Sequence, residues 1–157
     1  MFKEATINYD YGGEENMTDV MSKEQRRKNM QAIKSISKLE EKVSRELWKR
    51  GVRFRKNTKT LYGKPDLSIK KYKVVIFIDS CFWHCCPLHG NVPKTNIEFW
   101  EKKLTRNKAR DEEVNRYYIE NGWYIKRVWE HTIKTNLDKV VDDIVEFINN
   151  AKGNSNN

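Results

Sequence analysis

The sequence predicts one α/β domain in which a mixed β-sheet is flanked by helices. Two long segments with helical apolar spacing, a continuous apolar run between them and an apolar strand after the second one carry this prediction. The chain has 157 residues, 38% of them hydrophobic, which is enough to bury a single core. We expect the domain to cover residues 17–151, between a disordered extension at 1–16 and a polar tail at 152–157.

The predicted helices begin at capping residues and follow apolar positions three or four apart. Ser22 precedes a short basic helix at residues 23–28, and Ser37 with Glu40 has the form of a capping box for a second helix that stops at Gly51. Two further helices follow the same apolar spacing, one from residue 97 to a stop at Gly122 and one at 140–148.

Four strands are predicted from short apolar runs, at residues 52–55, 66–69, 73–79 and 123–129. The run at 74–78 is entirely apolar rather than alternating, which indicates a central strand that is buried on both faces. The resulting order of helices and strands contains no internal repeat. It predicts a mixed sheet with helices on its faces.

The charge balance favours a polyanionic partner. The chain carries 31 Lys and Arg against 22 Asp and Glu, a net charge of +9, and residues 1–16 hold four of the acids against one lysine. Neutralising phosphates releases condensed counterions, so nucleic acid is the first candidate, although an unspecialised basic surface has the same excess. Without a membrane-length apolar run or a secretory signal, we expect a cytoplasmic protein.

All three cysteines lie in an irregular segment at residues 80–96. In a cytoplasmic protein such close spacing indicates metal binding rather than disulfides. Cys81, Cys86 and His89 are three zinc ligands within nine residues, and His131 after the last strand is the candidate fourth.

Four protein ligands would make the zinc site closed and therefore structural. Cys85 and His84 compete for the same metal, and the spacing alone does not choose among them. Ordinary buried thiols without a metal are the alternative.

A second group of residues has the chemistry of a hydrolytic metal site. Asp66 begins one predicted strand and Asp79 ends the next, so the two carboxylates are expected at the same end of the sheet, where they could share a divalent ion. Glu41 on the preceding helix could join them, and His84 could act as general base on a water. Each residue alone also has an ordinary turn or surface role, so the pattern indicates no more than a possible metallonuclease.

Nine short motifs then follow in one order along the chain. They are RKNMQAI at 27–33, GKPD at 63–66, VIF at 75–77, CFWH at 81–84, VPK at 92–94, EFW at 98–100, NKARD at 107–111, GW at 122–123 and VWE at 128–130. With these motifs, residues 17–131 resemble the very-short-patch repair (Vsr) mismatch endonucleases of the PD-(D/E)xK superfamily. The resemblance implies a restriction-endonuclease-like fold with a structural Zn²⁺ site.

The resemblance also implies a reaction: Mg²⁺-dependent nicking of one DNA strand beside a T:G mismatch, of the kind that deamination of 5-methylcytosine leaves. It makes Asp66 the Mg²⁺-binding carboxylate, Glu41 a helix-borne acid near the metal waters and His84 the residue that activates water. Asp79 stands where a relative has His, so its role is open; it is also a candidate second acid of the superfamily. The usual lysine would fall at Cys81, so His84 would substitute for it.

The resemblance extends to the zinc ligands and to DNA contacts. It matches the same four zinc positions and implies that aromatic side chains wedge beside the mismatch, which maps onto Phe82, Trp83 and Trp100. Phosphate contacts are expected from these basic residues: Arg26, Arg27, Lys28, Lys64, Lys102, Lys103, Arg106 and Lys108.

The expected partners are double-stranded DNA with a T:G mismatch, mismatch-repair proteins and a repair polymerase, and a monomer suffices for a single nick. Two rival functions remain at this point. One is a restriction-type nuclease of the same fold that cuts matched DNA. The other is a non-catalytic, zinc-stabilised DNA-binding module.

Overall fold

The computed structural model of the protein describes residues 22–155. The extension predicted at residues 1–16 lies outside the described residues. The helices are α1 (Lys23–Lys49), α2 (Ile97–Glu120), α3 (Glu130–Thr135) and α4 (Leu137–Asn154), and the strands are β1 (Arg55–Lys56), β2 (Leu67–Ile69), β3 (Val74–Asp79) and β4 (Tyr124–Trp129).

Helix α1 is continuous where the sequence predicted two helices. Ser22 and Gln25 form the capping box, since each side chain accepts a hydrogen bond from the other residue's backbone N–H. No Gly or Pro interrupts residues 23–49, so the predicted capping pair Ser37 and Glu40 lies inside the helix. Only the C-terminal half of α1 packs into the core, because its buried residues begin at Leu39.

The sheet has the order β1-β2-β3-β4, in which β1, β2 and β3 pair antiparallel and β4 joins β3 in parallel. The predicted mixed sheet is therefore confirmed. Every residue of β3 is buried, as predicted for a central strand. The parallel register runs from Val74 beside Tyr124 to Asp79 beside Trp129, and α2 forms the crossover between the two strands.

Helices cover both faces of the sheet. On one face α1, α3 and α4 enclose the larger core with alternate residues of β3, namely Val74, Ile76 and Ile78. On the other face α2 packs Val114 and Tyr118 against Val75 and Phe77. Because side chains alternate along a strand, Asp79 belongs to the face of Phe77 and α2.

The largest other differences from the prediction concern β1, α3 and α4. Strand β1 has two residues, shifted toward the C-terminus of the predicted 52–55, because only Arg55 and Lys56 pair with β2. Helix α3 was not predicted, and α4 extends to Asn154, past the predicted start of the polar tail. Within residues 22–155, no helix is both long enough and apolar enough to cross a bilayer.

Candidate functional site

The polar residues of the site meet where β2 begins and β3 ends. Asp66 precedes β2, and Asp79 is the last residue of β3. The loop after β3 carries His84, while α2 and β4 approach the same end of the sheet with Asp111 and Arg127.

Asp66 is half-buried at the edge of the antiparallel pair. Its Oδ2 accepts a 2.6 Å hydrogen bond from the backbone N–H of Ile78, which fixes the carboxylate beside β3. Burial raises the pKa of Asp66 to about 6, opposed by the hydrogen bond from Ile78 and reinforced by the charge of Asp79. Burial therefore disfavours the ionised carboxylate of Asp66, while the hydrogen bond from Ile78 partly compensates.

Glu40, rather than the predicted Glu41, is the helix-borne acid that is coupled to Asp66. Burial raises the pKa of Glu40 to about 7, and the charge of Asp66 raises it further against the opposing effect of Lys56. Glu41 is exposed instead, and its carboxylate binds Lys56 Nζ at 2.6 Å. This hydrogen bond is the main reason that the pKa of Glu41 is lowered. We call Asp66 and Glu40 the acid pair.

His84 is fixed by a carboxylate on α2. Its Nδ1 lies 2.6 Å from Asp111 Oδ2 and 3.7 Å from Asp79 Oδ1. Burial lowers the pKa of His84, but the hydrogen bond to Asp111 and the charges of Asp79 and Asp111 outweigh it, so the net shift is upward. With Nδ1 engaged, the other ring nitrogen, Nε2, is the one left for chemistry.

Asp79 is neutralised by an arginine. Both of its oxygens lie 2.9 Å from Arg127 Nη1, and its side chain is almost fully buried. Arg127 also pairs with Asp111 at 3.4 Å and donates from Nε to Asn115 at 2.7 Å. Arg127 thus balances the charge of Asp79, and the sharing of a divalent ion by Asp66 and Asp79 stays a prediction. We call His84, Asp111, Asp79 and Arg127 the histidine network.

Cys81, Cys86, His89 and His131 come together as predicted, and their ligand atoms all lie within 4.8 Å of one another. The closest contacts are 3.3 Å from Cys81 Sγ to His131 Nδ1 and 3.5 Å from Cys86 Sγ to the same nitrogen. Ligands of a tetrahedral zinc at ordinary bond lengths lie about 3.5 Å apart. The cluster could therefore hold a metal ion as it stands.

The two competing ligands lie elsewhere. Cys85 Sγ faces the carbonyl oxygen of Leu104 at 3.7 Å, and His84 belongs to the histidine network. The loop that carries the cluster depends on a glycine, since a Cβ at Gly90 would lie 2.7 Å from the carbonyl oxygen of Cys86. Glu130 at the start of α3 accepts the backbone N–H of Cys81 at 3.1 Å and so ties the loop to β4.

An aromatic cluster stands beside His84. The rings of Phe82 and Trp83 lie 4.9 Å apart, and each lies within 6 Å of the ring of Trp100. Phe82 and Trp83 are half-buried, but Trp100 is only 3% exposed. Trp100 therefore supports the other two rings in this structure, and its role as a wedge in DNA stays a prediction.

The predicted phosphate contacts fall into three groups. Arg26, Arg27 and Lys28 are exposed on the part of α1 that extends beyond the core. Lys64 is exposed two residues before Asp66. On α2, four exposed residues form the third group: Lys102, Lys103, Arg106 and Lys108.

Sequence reasoning missed four residues of the site: Glu40, Asp111, Arg127 and Glu130. Asp111 and Glu130 lie within the NKARD and VWE motifs, which could have drawn attention to them. Glu40 was assigned to a capping box because of Ser37. Arg127 gives no signal in the sequence, since its role arises only from the parallel pairing of β3 and β4.

Together the mixed sheet, the acid pair, the histidine network and the basic surface define a DNA endonuclease. Comparisons with known proteins specify the family. Residues 18–88 match the family model described as DNA mismatch endonuclease Vsr. The type II nicking enzyme V.HpaIIP of Haemophilus parainfluenzae is 41% identical over 134 residues, covering 83% of this chain and 95% of the relative.

Two other relatives agree. The type II nicking enzyme V.NaeI of Lentzea aerocolonigenes is 45% identical over 112 residues, 68% of each chain. The DNA mismatch endonuclease Vsr of Escherichia coli (strain K12) is 36% identical over 130 residues, covering 81% of this chain and 82% of the relative. The chain belongs to the Vsr family of DNA endonucleases.

Proposed function

We propose that the protein nicks one strand of double-stranded DNA beside a T:G mismatch, using a divalent cation, Mg²⁺, at the acid pair. The observation that carries this proposal is the position of the aromatic cluster. Phe82 and Trp83 directly precede His84 in one loop, so a base step opened by the rings would lie next to the hydrolytic residues. A mismatched step costs less to unstack than a paired one, which favours incision at such a site.

The acid pair suits a hard cation. Asp66 and Glu40 are partly buried, and burial raises the pKa of both carboxyls; the charge of Asp66 raises the pKa of Glu40 further. A bound divalent ion would relieve both effects. Such an ion would polarise the phosphoryl group and stabilise the negative charge that develops during hydrolysis. We assign Asp66 and Glu40 to hold it, and we exclude Asp79 because Arg127 already balances its charge.

The histidine network supplies proton transfer. Asp111 holds Nδ1 of His84 and so directs Nε2 toward the reacting phosphate. In the proposed hydrolysis a water oxygen forms a new bond to phosphorus, and one bond from phosphorus to a deoxyribose oxygen breaks. His84 accepts the proton that the water loses, and the departing oxygen takes up a proton to become a hydroxyl group.

The Cys/His cluster is proposed to hold a structural Zn²⁺. Four protein ligands leave no open position for water, and the distances between ligand atoms suit a tetrahedral ion. Zinc there would fasten the loop at residues 80–96 to α3. The cluster would thus hold Phe82, Trp83 and His84 in place.

The names of several relatives support a second candidate. They are called type II nicking enzymes, without reference to a mismatch. A nuclease of this kind would cut one strand at a recognition sequence in matched DNA. The structure offers the same residues for both reactions, so the substrate must decide between them.

The deciding experiment uses end-labelled duplexes that differ only in one base pair, T:G or T:A, embedded in several flanking sequences. We expect incision of the T-containing strand beside the T:G pair in Mg²⁺, none with Asp66→Asn, and at most trace cutting of the matched duplex. Equal cutting of both duplexes would establish the second candidate. Tight binding without any incision in Mg²⁺ would reduce the protein to a DNA-binding module.

Repair proteins and a polymerase that acts at the nick are proposed as partners, because a nick alone does not restore the base pair. A cytoplasmic monomer is proposed as the active form, since a single site suffices for one strand. Light scattering during active turnover would measure this, and an active dimer would contradict it.

A further inference from the structure

A cavity of about 260 Å³ lies beside His84 on the α2 side of the sheet. Its α2 wall is made of Asn107, Arg110, Asp111 and Val114, whose spacing of three, four and seven residues places them on one face of the helix. The volume is several times the ~30 Å³ that one water occupies in the liquid. The cavity can therefore take a chemical group and not only solvent.

Two arginines line this cavity, and they differ in their partners. Arg127 is bound to Asp79 and Asp111, so its charge is balanced. Arg110 is exposed and makes no hydrogen bond or ion pair with any residue between 22 and 155. Asp111, the carboxylate next to it, is already paired with His84 and Arg127. Among the residues that line the cavity, two arginines therefore stand against one carboxylate, and Arg110 is the arginine without a partner in residues 22–155.

The cavity also faces the loop that leads to the acid pair. Gly63 lines it, with a φ of +70°, and a Cβ there would lie 2.8 Å from Val114. The loop therefore packs directly on α2, three residues before Asp66. A strand whose phosphate lies between Asp66 and His84 would pass the mouth of the cavity.

We propose that this cavity is a subsite for a backbone phosphate adjacent to the one that is cleaved, with Arg110 as its ligand. The guanidinium group is planar and can donate two parallel hydrogen bonds to phosphate oxygens. Asn107 supports the subsite by donating to the carbonyl oxygen of Trp83 at 3.2 Å, which fixes the opposite wall. This inference rests on the proposed function, because it presumes that the scissile phosphate lies between Asp66 and His84.

The subsite makes Arg110 a positioning residue. By anchoring the neighbouring nucleotide, it would set the scissile phosphate at the reach of His84 Nε2. Other basic residues on α2 would attract DNA through long-range charge alone. Unlike those residues, Arg110 should contribute only when one particular phosphate carries its negative charge.

The test replaces one backbone phosphate at a time by a neutral methylphosphonate. Four positions are tested, two on the 5′ side and two on the 3′ side of the incision. Wild-type protein, Arg110→Gln and the matched control Arg116→Gln, which removes an exposed arginine of α2 outside the cavity, are compared. Nicking rates are measured under single-turnover conditions, and DNA affinity is measured by anisotropy in Ca²⁺.

We expect one methylphosphonate position to slow the wild type and Arg116→Gln by roughly 10- to 100-fold, the range for a hydrogen bond to a charged group. Arg110→Gln should be slow on unmodified DNA and should show less than about a 2-fold further loss at that position. An equal loss in all three proteins, or no sensitive position in the wild type, would overturn the subsite.

The proposed function can fail separately. If the wild type does not incise unmodified DNA, the affinities in Ca²⁺ compare the same three proteins on duplexes that carry one methylphosphonate at each phosphate near the T:G pair in turn. A position-specific loss of affinity that Arg110→Gln abolishes would then support the phosphate subsite. The same loss in Arg110→Gln as in wild type would reject it.

Discussion

The acid pair and the histidine network lie at the same end of the sheet but differ in how their charges are balanced. In the histidine network each carboxylate has a cationic partner, because Arg127 pairs with both Asp79 and Asp111. In the acid pair burial raises the pKa of both Asp66 and Glu40, and a neighbouring carboxylate raises each further, Asp79 for Asp66 and Asp66 for Glu40. This difference is why we assign the proposed cation to the acid pair and not to the histidine network.

This difference separates two tasks that a phosphodiesterase must perform. The histidine network is complete within the protein, which suits a group that must keep one orientation and move a proton. The acid pair is incomplete, which suits a site that gains its function by binding an ion. The same comparison is our reason for leaving Asp79, whose charge Arg127 balances, out of the proposed metal ligands.

The largest effect is expected from Asp66→Asn. Loss of this carboxylate should lower nicking by at least ~1,000-fold, because the several kcal/mol that a cation supplies to the transition state would be lost. DNA affinity in Ca²⁺ should change little. Single-turnover nicking and anisotropy check the two halves of this prediction, and nicking within tenfold of wild type would contradict it.

A large effect on folding is expected from Cys86→Ser. This change should release zinc and lower the melting temperature, because removing one of four ligands unfastens the loop that carries His84. Cys85→Ser is the matched control and should retain both zinc and stability, since its thiol lies outside the cluster. Zinc content by mass spectrometry and thermal denaturation measure the difference. Equal zinc loss in both variants would contradict the assigned ligand set.

A smaller effect is expected within the histidine network. Asp111→Asn should slow nicking by roughly 10- to 100-fold, in the range of partners that orient a catalytic or ligating side chain. Because Asp111 acts through His84, the double variant with His84→Ala should be no slower than His84→Ala alone. Additive losses would show that Asp111 acts separately. The DNA affinity of all three variants serves as the control.

The smallest effect concerns stability against pH. The pKa values of Asp66 and Glu40 are raised to about 6 and about 7, so their contribution to stability is fully present below pH 4 and is lost as pH rises toward 7. In Mg²⁺-free buffer, the melting temperature should therefore fall less between pH 5 and 8 for Glu40→Gln than for wild type. His84 acts in the same sense and is retained in both proteins. If wild type and Glu40→Gln lost the same melting temperature between pH 5 and 8, the contribution of Glu40 to this pH dependence would be contradicted.

The fold was largely predictable because apolar periodicity specifies it. Residues 74–78 form the strand buried on both faces that their continuous apolar run predicted, and the Cys/His cluster was predictable because three of its four residues lie in one short loop. The break predicted in α1 was wrong because a favourable capping sequence does not end a helix that lacks a breaker.

The choice between Glu40 and Glu41 depends on helical phase. One residue rotates a side chain by about 100° around the helix axis, so two adjacent acids face different surroundings. The buried positions Leu39, Val43 and Leu47 place Glu40 beside the packed face and Glu41 away from it. The apolar spacing in the sequence therefore already placed Glu40, and not Glu41, beside the packed face. Pairing of His84 with Asp111, 27 residues apart, required the three-dimensional packing of α2 on the sheet.

The central claim is that the cation binds at the acid pair, and its most direct test is Mn²⁺ binding by electron paramagnetic resonance in the absence of DNA. Zinc-loaded wild type, Glu40→Gln, Glu41→Gln and Asp79→Asn would be titrated under identical conditions. The account predicts that Glu40→Gln weakens Mn²⁺ binding by roughly tenfold or more, while Glu41→Gln remains close to wild type. Weaker binding in Glu41→Gln or Asp79→Asn, with Glu40→Gln unaffected, would contradict it.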